Sequence, residues 1–388
     1  MTVWIRLTGA VKDKGSIWVA RFAPPTILRN PILETAVIKA TSHDENHIDY
    51  KNVERVMQWL AASPLHLKPL VFSLSLRMKK TRSWPVALKG LMLMHGIFCC
   101  EIPALQKIGR LPFDLSDFTD RHSTSDRLWG FNAFIRSYFT YLDQRSAFVS
   151  SEHQKRITKQ RKETEDTLMR ELERLQKMQS LIDTILEIRP QSLRMYSVAL
   201  ILEAMDCVVV ELSDMYRKLC AEISRILLRI YDMGGKIEAG VGLRVVQKAA
   251  VQGEDLACYF ELCREIGVVH ASRSPKIERI SEENIRTLER MANGDLEKSK
   301  YEECDGRHPE QVEIRNEEKA IVPISVSKEG SGTVITEKWE LFDVDVNASF
   351  NYESCMISST NPFLDDSLSL VPYNPPHSQV DIPDLITF

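Results

Sequence analysis

Apolar residues recur along this chain at three- and four-residue spacing, in blocks separated by short polar breaks. No segment alternates with period two for long enough to build a sheet. Leu33, Ala36 and Val37 mark the buried face of one helix, which gives way to polar Thr41, Ser42, Asp44 and Asn46. Asp49 is the expected N-cap of the next helix, whose apolar face is Val53, Val56, Met57 and Leu60. Leu67 to Met78 reads as a third helix, followed by the basic turn Lys79-Lys-Thr-Arg82. Trp84-Pro85 then opens a helix with Pro in the first turn and Val86, Leu88, Leu91, Met92 and His95 along its face. Thr164 to Ile188 is the most regular run, with Leu168, Leu172, Leu175, Ile182 and Leu186 on a heptad-like stripe stopped by Pro190. A second long run, Met195 to Tyr231, closes at Gly234-Gly235, so the two form an antiparallel helix hairpin. Shorter helical patterns cover Leu243 to Ala250, Leu256 to Ile266 and Glu282 to Met291. The expectation is an all-α domain of about ten helices stacked as a superhelical α-solenoid.

Charge divides the chain. The net charge of -4 over 388 residues hides an arm from Asp295 onward with 7 basic and 19 acidic residues, net -12, and a body with 43 and 35, net +8. A basic body suits an anionic surface, and the acidic, Ser/Asn/Pro-rich remainder reads as a disordered tail. The division expected is a basic amphipathic segment at 1–23, a helical domain at 24–293 and the tail at 294–388. In the first segment Val3, Trp4, Leu7 and Val11 share helical spacing with Arg6, Lys12 and Lys14 nearby. It has two fates: lying in a membrane interface with Trp4 at headgroup depth, or packing onto the domain, which Gly9 and its short length favour. The eight cysteines form no CxxC pair and lie mostly in apolar helical patterns, which fits buried thiols in a reducing compartment rather than disulfides or zinc. No cleavable signal or span-length apolar run is present, so a cytosolic or peripherally bound protein is expected.

The chemistry-bearing stretch is the break between the first two of these helices, Lys39-Ala-Thr-Ser-His43 followed by Lys51-Asn-Val. Two ammonium groups flank one loop at a helix start, where backbone N–H groups also face outward. This wording resembles the signature of the ANTH domain of clathrin-assembly proteins, and of their plant branch most closely. So do Lys80-Thr-x-x-Trp84-x-Val-x-Leu88-Lys89-x-Leu-x-x-x-His95, Leu111-Pro-Phe-Asp-Leu115-Ser-x-Phe118, and Phe134-Ile-Arg136-x-Tyr138-x-x-Tyr141-Leu142. The resemblance spans about Pro24 to Asn293. It implies the same helical fold, no catalysis and no cofactor, and a phosphoinositide headgroup held at Lys39, His43, Lys51 and the Asn52 position. The chain departs from the pattern at two places: Asp49 stands where a base is expected, and Asn52 where a His is expected. An acid in such a site costs about 1 kcal/mol of like-charge repulsion.

Three apolar clusters punctuate the tail. Asn361, Pro362 and Phe363 present one ring from a turn and resemble the ligand of EH domains. Trp339, Phe342 and Asp343 resemble a ligand of clathrin-adaptor appendage domains, two aromatic anchors one turn apart; a cluster folding back on the domain is the other reading. Leu385, Ile386 and Phe388 resemble a clathrin-box strand whose usual following acid is replaced by the terminal carboxylate. The resemblance thus implies a peripheral adaptor in clathrin-coated pits, coated vesicles or the Golgi apparatus. Its partners would be clathrin, an adaptor appendage, an EH-domain protein and inositol lipids. The second reading is a helical scaffold without lipid binding that takes a SNARE helix or cargo along its long hairpin.

Other chemistries lack their residues. His43 and His47 are four apart, but Glu does not directly follow the first and no third ligand is in view, so no metal is expected. There is no GxxxxGK[ST] and no strand-borne GxGxxG, and Gly330-Ser331-Gly332 sits in the tail, where no triad can be held. The aromatic residues follow helical core spacing, and the basic residues are scattered, so nucleic acid is not a partner.

Overall fold

The computed structural model describes residues 2–26, 28–100, 102–120, 129–159, 167–273 and 282–294. The tail clusters at 339–343, 361–363 and 385–388 lie outside these residues. Ten α-helices follow in order: α1 Thr2–Phe22, α2 Pro31–Ala40, α3 Tyr50–Ala62, α4 Leu67–Lys80, α5 Trp84–Cys99, α6 Trp129–Lys159, α7 Thr167–Leu186, α8 Ala199–Met233, α9 Lys236–Glu265 and α10 Glu282–Asn293. Each packs mainly on its chain neighbours, α1 on α2, α2 on α3 and α4, and so on to α9 on α10. Among the described residues the only extended pairing is one bridge between Thr26 and Arg29, at the bend between α1 and α2. The expected helical array is what forms. No helix of the described residues is long and apolar enough to cross a membrane.

The centre of the stack is α5, every residue of which from Trp84 to Phe98 is buried. A helix apolar on all sides can only sit inside, and α2, α4, α6 and α8 surround it. Gly90 removes the Cβ that would stand 2.2 Å from the Met78 sulfur, so α4 lies close along α5. Ser83 gives the helix no side-chain cap. Asp120, from the segment before α6, accepts from Trp84 N at 2.7 Å instead.

The long hairpin is present as α7 and α8, with α9 packed against both. Where the sequence shows two short patterns, the structure has one continuous helix, α9. The pattern breaks at Gln252 and Gly253 because both are buried rather than exposed, Gln252 against α7. Gln179 Nε2 donates to Val245 O at 2.8 Å and Gln252 Nε2 donates to Gln179 O at 2.7 Å, a reciprocal pair that locks α7 to α9. The polar interruption at Gln179 is therefore a helix–helix fastening.

A buried polar cluster joins α5, α6 and α8. Glu211 accepts from Arg145 Nε at 2.6 Å and from Tyr141 Oη at 3.0 Å. His95 Nδ1 pairs with Tyr138 Oη at 2.7 Å while its Nε2 lies 3.7 Å from Glu211. Burial pushes the Glu211 carboxyl up, but Arg145 and His95 outweigh it and hold it well below the usual range. The ligand atoms of His95, Cys99 and Glu211 fall within 4.8 Å of one another, yet the guanidinium already on Glu211 opposes a second cation there. Replacing Glu211 with Ala strands the Arg145 charge, and urea unfolding should show a loss of about 3–5 kcal/mol. A loss under about 1 kcal/mol would mean water reaches Arg145 and the cluster carries little of the fold.

Candidate functional site

The site grows from the end of α2. Asn30 caps this helix by accepting from Ile32 N and Leu33 N at 3.0 and 3.2 Å, with Pro31 in the first turn. Leu33, Ala36, Val37, Ile38 and Ala40 are buried, which leaves Lys39 half-exposed on the last turn. Thr41 ends the helix, its hydroxyl donating to Val37 O at 2.6 Å. Across the loop, Asp49 is the N-cap of α3 as expected, accepting from Asn52 N at 3.2 Å. Val53, Val56, Met57 and Leu60 form the buried face of α3.

The loop between is held from four helices. Asp13 on α1 accepts from His43 N at 2.8 Å, lies 2.9 Å from His43 Nδ1, and accepts from Arg77 of α4 at 2.8 Å. Arg77 also donates to the Thr41 hydroxyl at 2.6 Å and to the Thr41 carbonyl. Lys89 of α5, wholly buried, reaches up to the Ser42 hydroxyl at 3.3 Å. Glu203 of α8 accepts from Ile48 N at 3.3 Å and contacts His47. Burial lowers the Lys89 pKa, and Asp44, Glu203, Asp13 and Asp49 offset part of that. For Asp13 burial acts upward, but the His43 bonds and Arg77 prevail and the net shift is downward.

Lys39 and Lys51 flank this tethered loop, and neither makes an ion pair among the described residues. His43 and Asn52 are engaged by the protein. His43 is committed to Asp13, and buried Asn52 donates its amide to Asp49 at 2.7 Å. The chain's two departures from the family pattern therefore pair with each other: Asp49 and Asn52 cap α3 together. Sequence reasoning missed Asp13, Arg77 and Glu203, which carry no local signal. Lys89, a cation amid an otherwise apolar helix, was the visible clue to a buried partner.

Behind the loop, α1, α2 and α4 border an open cleft of about 650 Å³ whose wall includes Lys12, His43, Arg77, Lys80 and Arg82. Lys39 and Lys51 are not in its lining. The wall from α1 is seated closely: a Cβ on Gly9 would stand 2.6 Å from His43 Cβ. The outer face of α1 leaves Trp18 and Phe22 exposed by 64% and 71%, rings 4.8 Å apart. The side chains at 2–7, Trp4 among them, lie outside the description.

Comparison with known proteins now decides the family. The ANTH domain matches residues 32–294, from α2 to the end of α10. The chain belongs to the ANTH-domain clathrin assembly protein family. An Arabidopsis thaliana protein named "Putative clathrin assembly protein At1g25240" is 45% identical over the full length of both chains. A second from the same plant, with the same description, is 42% identical, again over the full length of both. "Clathrin coat assembly protein AP180" of Arabidopsis thaliana is 26% identical over 78% of this chain and 51% of its own. This is a family of adaptors, not of enzymes.

Seating α1 depends on the Asp13 carboxylate. Its folded pKa lies below the unfolded value of about 3.9, so its contribution is complete above that value and is lost as pH falls through the folded one. Hydrogen exchange across residues 8–22, corrected for intrinsic rates, should accelerate at acid pH before α8 does. In Gly9→Val the same segment should exchange faster at neutral pH, because the new branch meets His43. Unchanged exchange in Gly9→Val would mean α1 is held elsewhere.

Proposed function

We propose that this protein is a peripheral adaptor that assembles clathrin coats on membranes carrying phosphorylated inositol lipids, at endocytic pits or Golgi-derived vesicles. The observation that carries this reading is the family match across the whole helical stack, together with full-length relatives described as clathrin assembly proteins. The helical domain docks through Lys39 and Lys51, whose unpaired charges flank a loop held rigid from beneath. His43 and Asn52 position that loop and helix start rather than meet the headgroup directly. Asp49, half its hydrogen-bonding capacity spent on Asn52, repels a headgroup less than a bare acid would.

The acidic arm recruits the coat. Asn361-Pro362-Phe363 engages an EH domain, Trp339, Phe342 and Asp343 an adaptor appendage, and Leu385, Ile386 and Phe388 clathrin itself. Each is a weak ligand alone, and several on one arm gain avidity at a lattice. The rival reading, a lipid-independent scaffold for a SNARE helix, draws on the protein's own use of His43 and Asn52.

Liposome flotation of the full chain separates the two. Flotation should require the bisphosphorylated inositol lipid and drop about tenfold or more in Lys39→Glu/Lys51→Glu, which reverses two charges. Recruitment indifferent to the lipid would favour the scaffold. Deleting 361–363 should abolish capture by an EH domain while leaving flotation intact; retained capture would remove that motif from the mechanism.

A further inference from the structure

We propose that the cleft between α1, α2 and α4 is a second anion site, separate from the Lys39/Lys51 loop, that takes a multiply phosphorylated polyol of the inositol phosphate class. Five cationic side chains besides His43 line it. Two of them are spent internally: Arg29 forks onto Glu34 at 2.8 and 3.1 Å, and Arg77 holds Asp13 and Thr41. Lys12, Lys80 and Arg82 make no ion pair among the described residues, against a single such acid in the lining, Glu45. Lys80 ends α4, where the helix dipole alone would favour a cation. That account covers neither Lys12, from a different helix, nor Arg82, beyond the helix end. Three chain segments thus place exposed, unneutralised charge around one concavity.

The lining also selects among anions. Ser16, Ser73 and Ser83 supply hydroxyls, while the Thr81 hydroxyl is engaged by Ser83 N and the first N–H of α5 by Asp120. Among the described residues no Phe, Tyr or Trp lines the cavity, and the one ring there, His43, is committed to Asp13, so a nucleotide base has little to stack on. About 650 Å³ suits a small-molecule ligand. Phosphates on the cations with ring hydroxyls on the serines fit a phosphorylated polyol. One wall is α1 itself, seated through Gly9 and Asp13, so a ligand bridging Lys12 to Lys80 and Arg82 ties α1 down. It thereby fixes which way Trp18 and Phe22 face. The chemistry is the same whether the ligand is a soluble inositol phosphate or a lipid headgroup.

Calorimetry on the full chain with inositol trisphosphate, inorganic phosphate and vesicles with and without bisphosphorylated inositol lipid tests the site. The trisphosphate should bind far more tightly than inorganic phosphate. Measured in a Lys39→Glu/Lys51→Glu background, which removes the loop as a second site for the same headgroup, Lys80→Ala/Arg82→Ala and Lys12→Ala should each weaken it about tenfold or more. Cleft-dependent binding of vesicles without binding of the free trisphosphate assigns the site to lipid. Binding of both assigns it to headgroup and soluble ligand alike. Affinity indifferent to the cleft variants, or no preference over inorganic phosphate, overturns the proposal. It does so without touching the loop reading, which the Lys39/Lys51 variant addresses separately. Circular dichroism reports whether the variants fold. Should they not, ligand-induced slowing of exchange at residues 8–22 in the wild-type chain decides, and its absence also overturns the site.

Discussion

The structure depends on one helix that has no outside. Because α5 is buried from Trp84 to Phe98, every polar group it carries must find a partner elsewhere in the fold, and those partners organise the molecule. His95 reaches the Tyr138 and Glu211 cluster that joins α6 to α8. Lys89 reaches the other way, to the loop between α2 and α3. Even the start of α5 is capped from a distance, by Asp120. The candidate site and the core are therefore two ends of the same helix.

Charge is distributed to the same plan. Carboxylates at Asp13 and Glu203 sit beneath the loop and hold it by its backbone N–H groups and histidines, while Lys39 and Lys51 stay outside and unpaired. Arg77 and Lys89 accompany those acids beneath the loop, so the buried charges are matched there and Lys39 and Lys51 remain as the flanking cations. The Asp49–Asn52 cap is a local variation on this plan. It spends Asp49 on the start of α3 and leaves Lys39 and Lys51 as the cations that flank the loop.

Much of this was readable from residues in order. Helix spacing, Pro85, the Asp49 cap and the Gly234-Gly235 stop are local signals, and the elements they mark are present. The family was readable too, because Lys39-Ala-Thr-x-His43 and the Lys80–His95 run are contiguous wording. Reading failed where polarity was buried. Gln252 and Gly253 look like a helix break until Gln179 is seen across from them. His43 looks like a free ligand until Asp13, thirty residues earlier, is found on it.

By itself, then, the sequence determined the helices, their family and the existence of an acidic arm, because propensity, capping and periodicity act within a few residues. Only the tertiary structure decided which charges are spent and which are free. Lys12, Lys80 and Arg82 are scattered letters in the chain and neighbours around one cavity in the fold. Ion pairing is a matter of distance in space, and no local pattern encodes it.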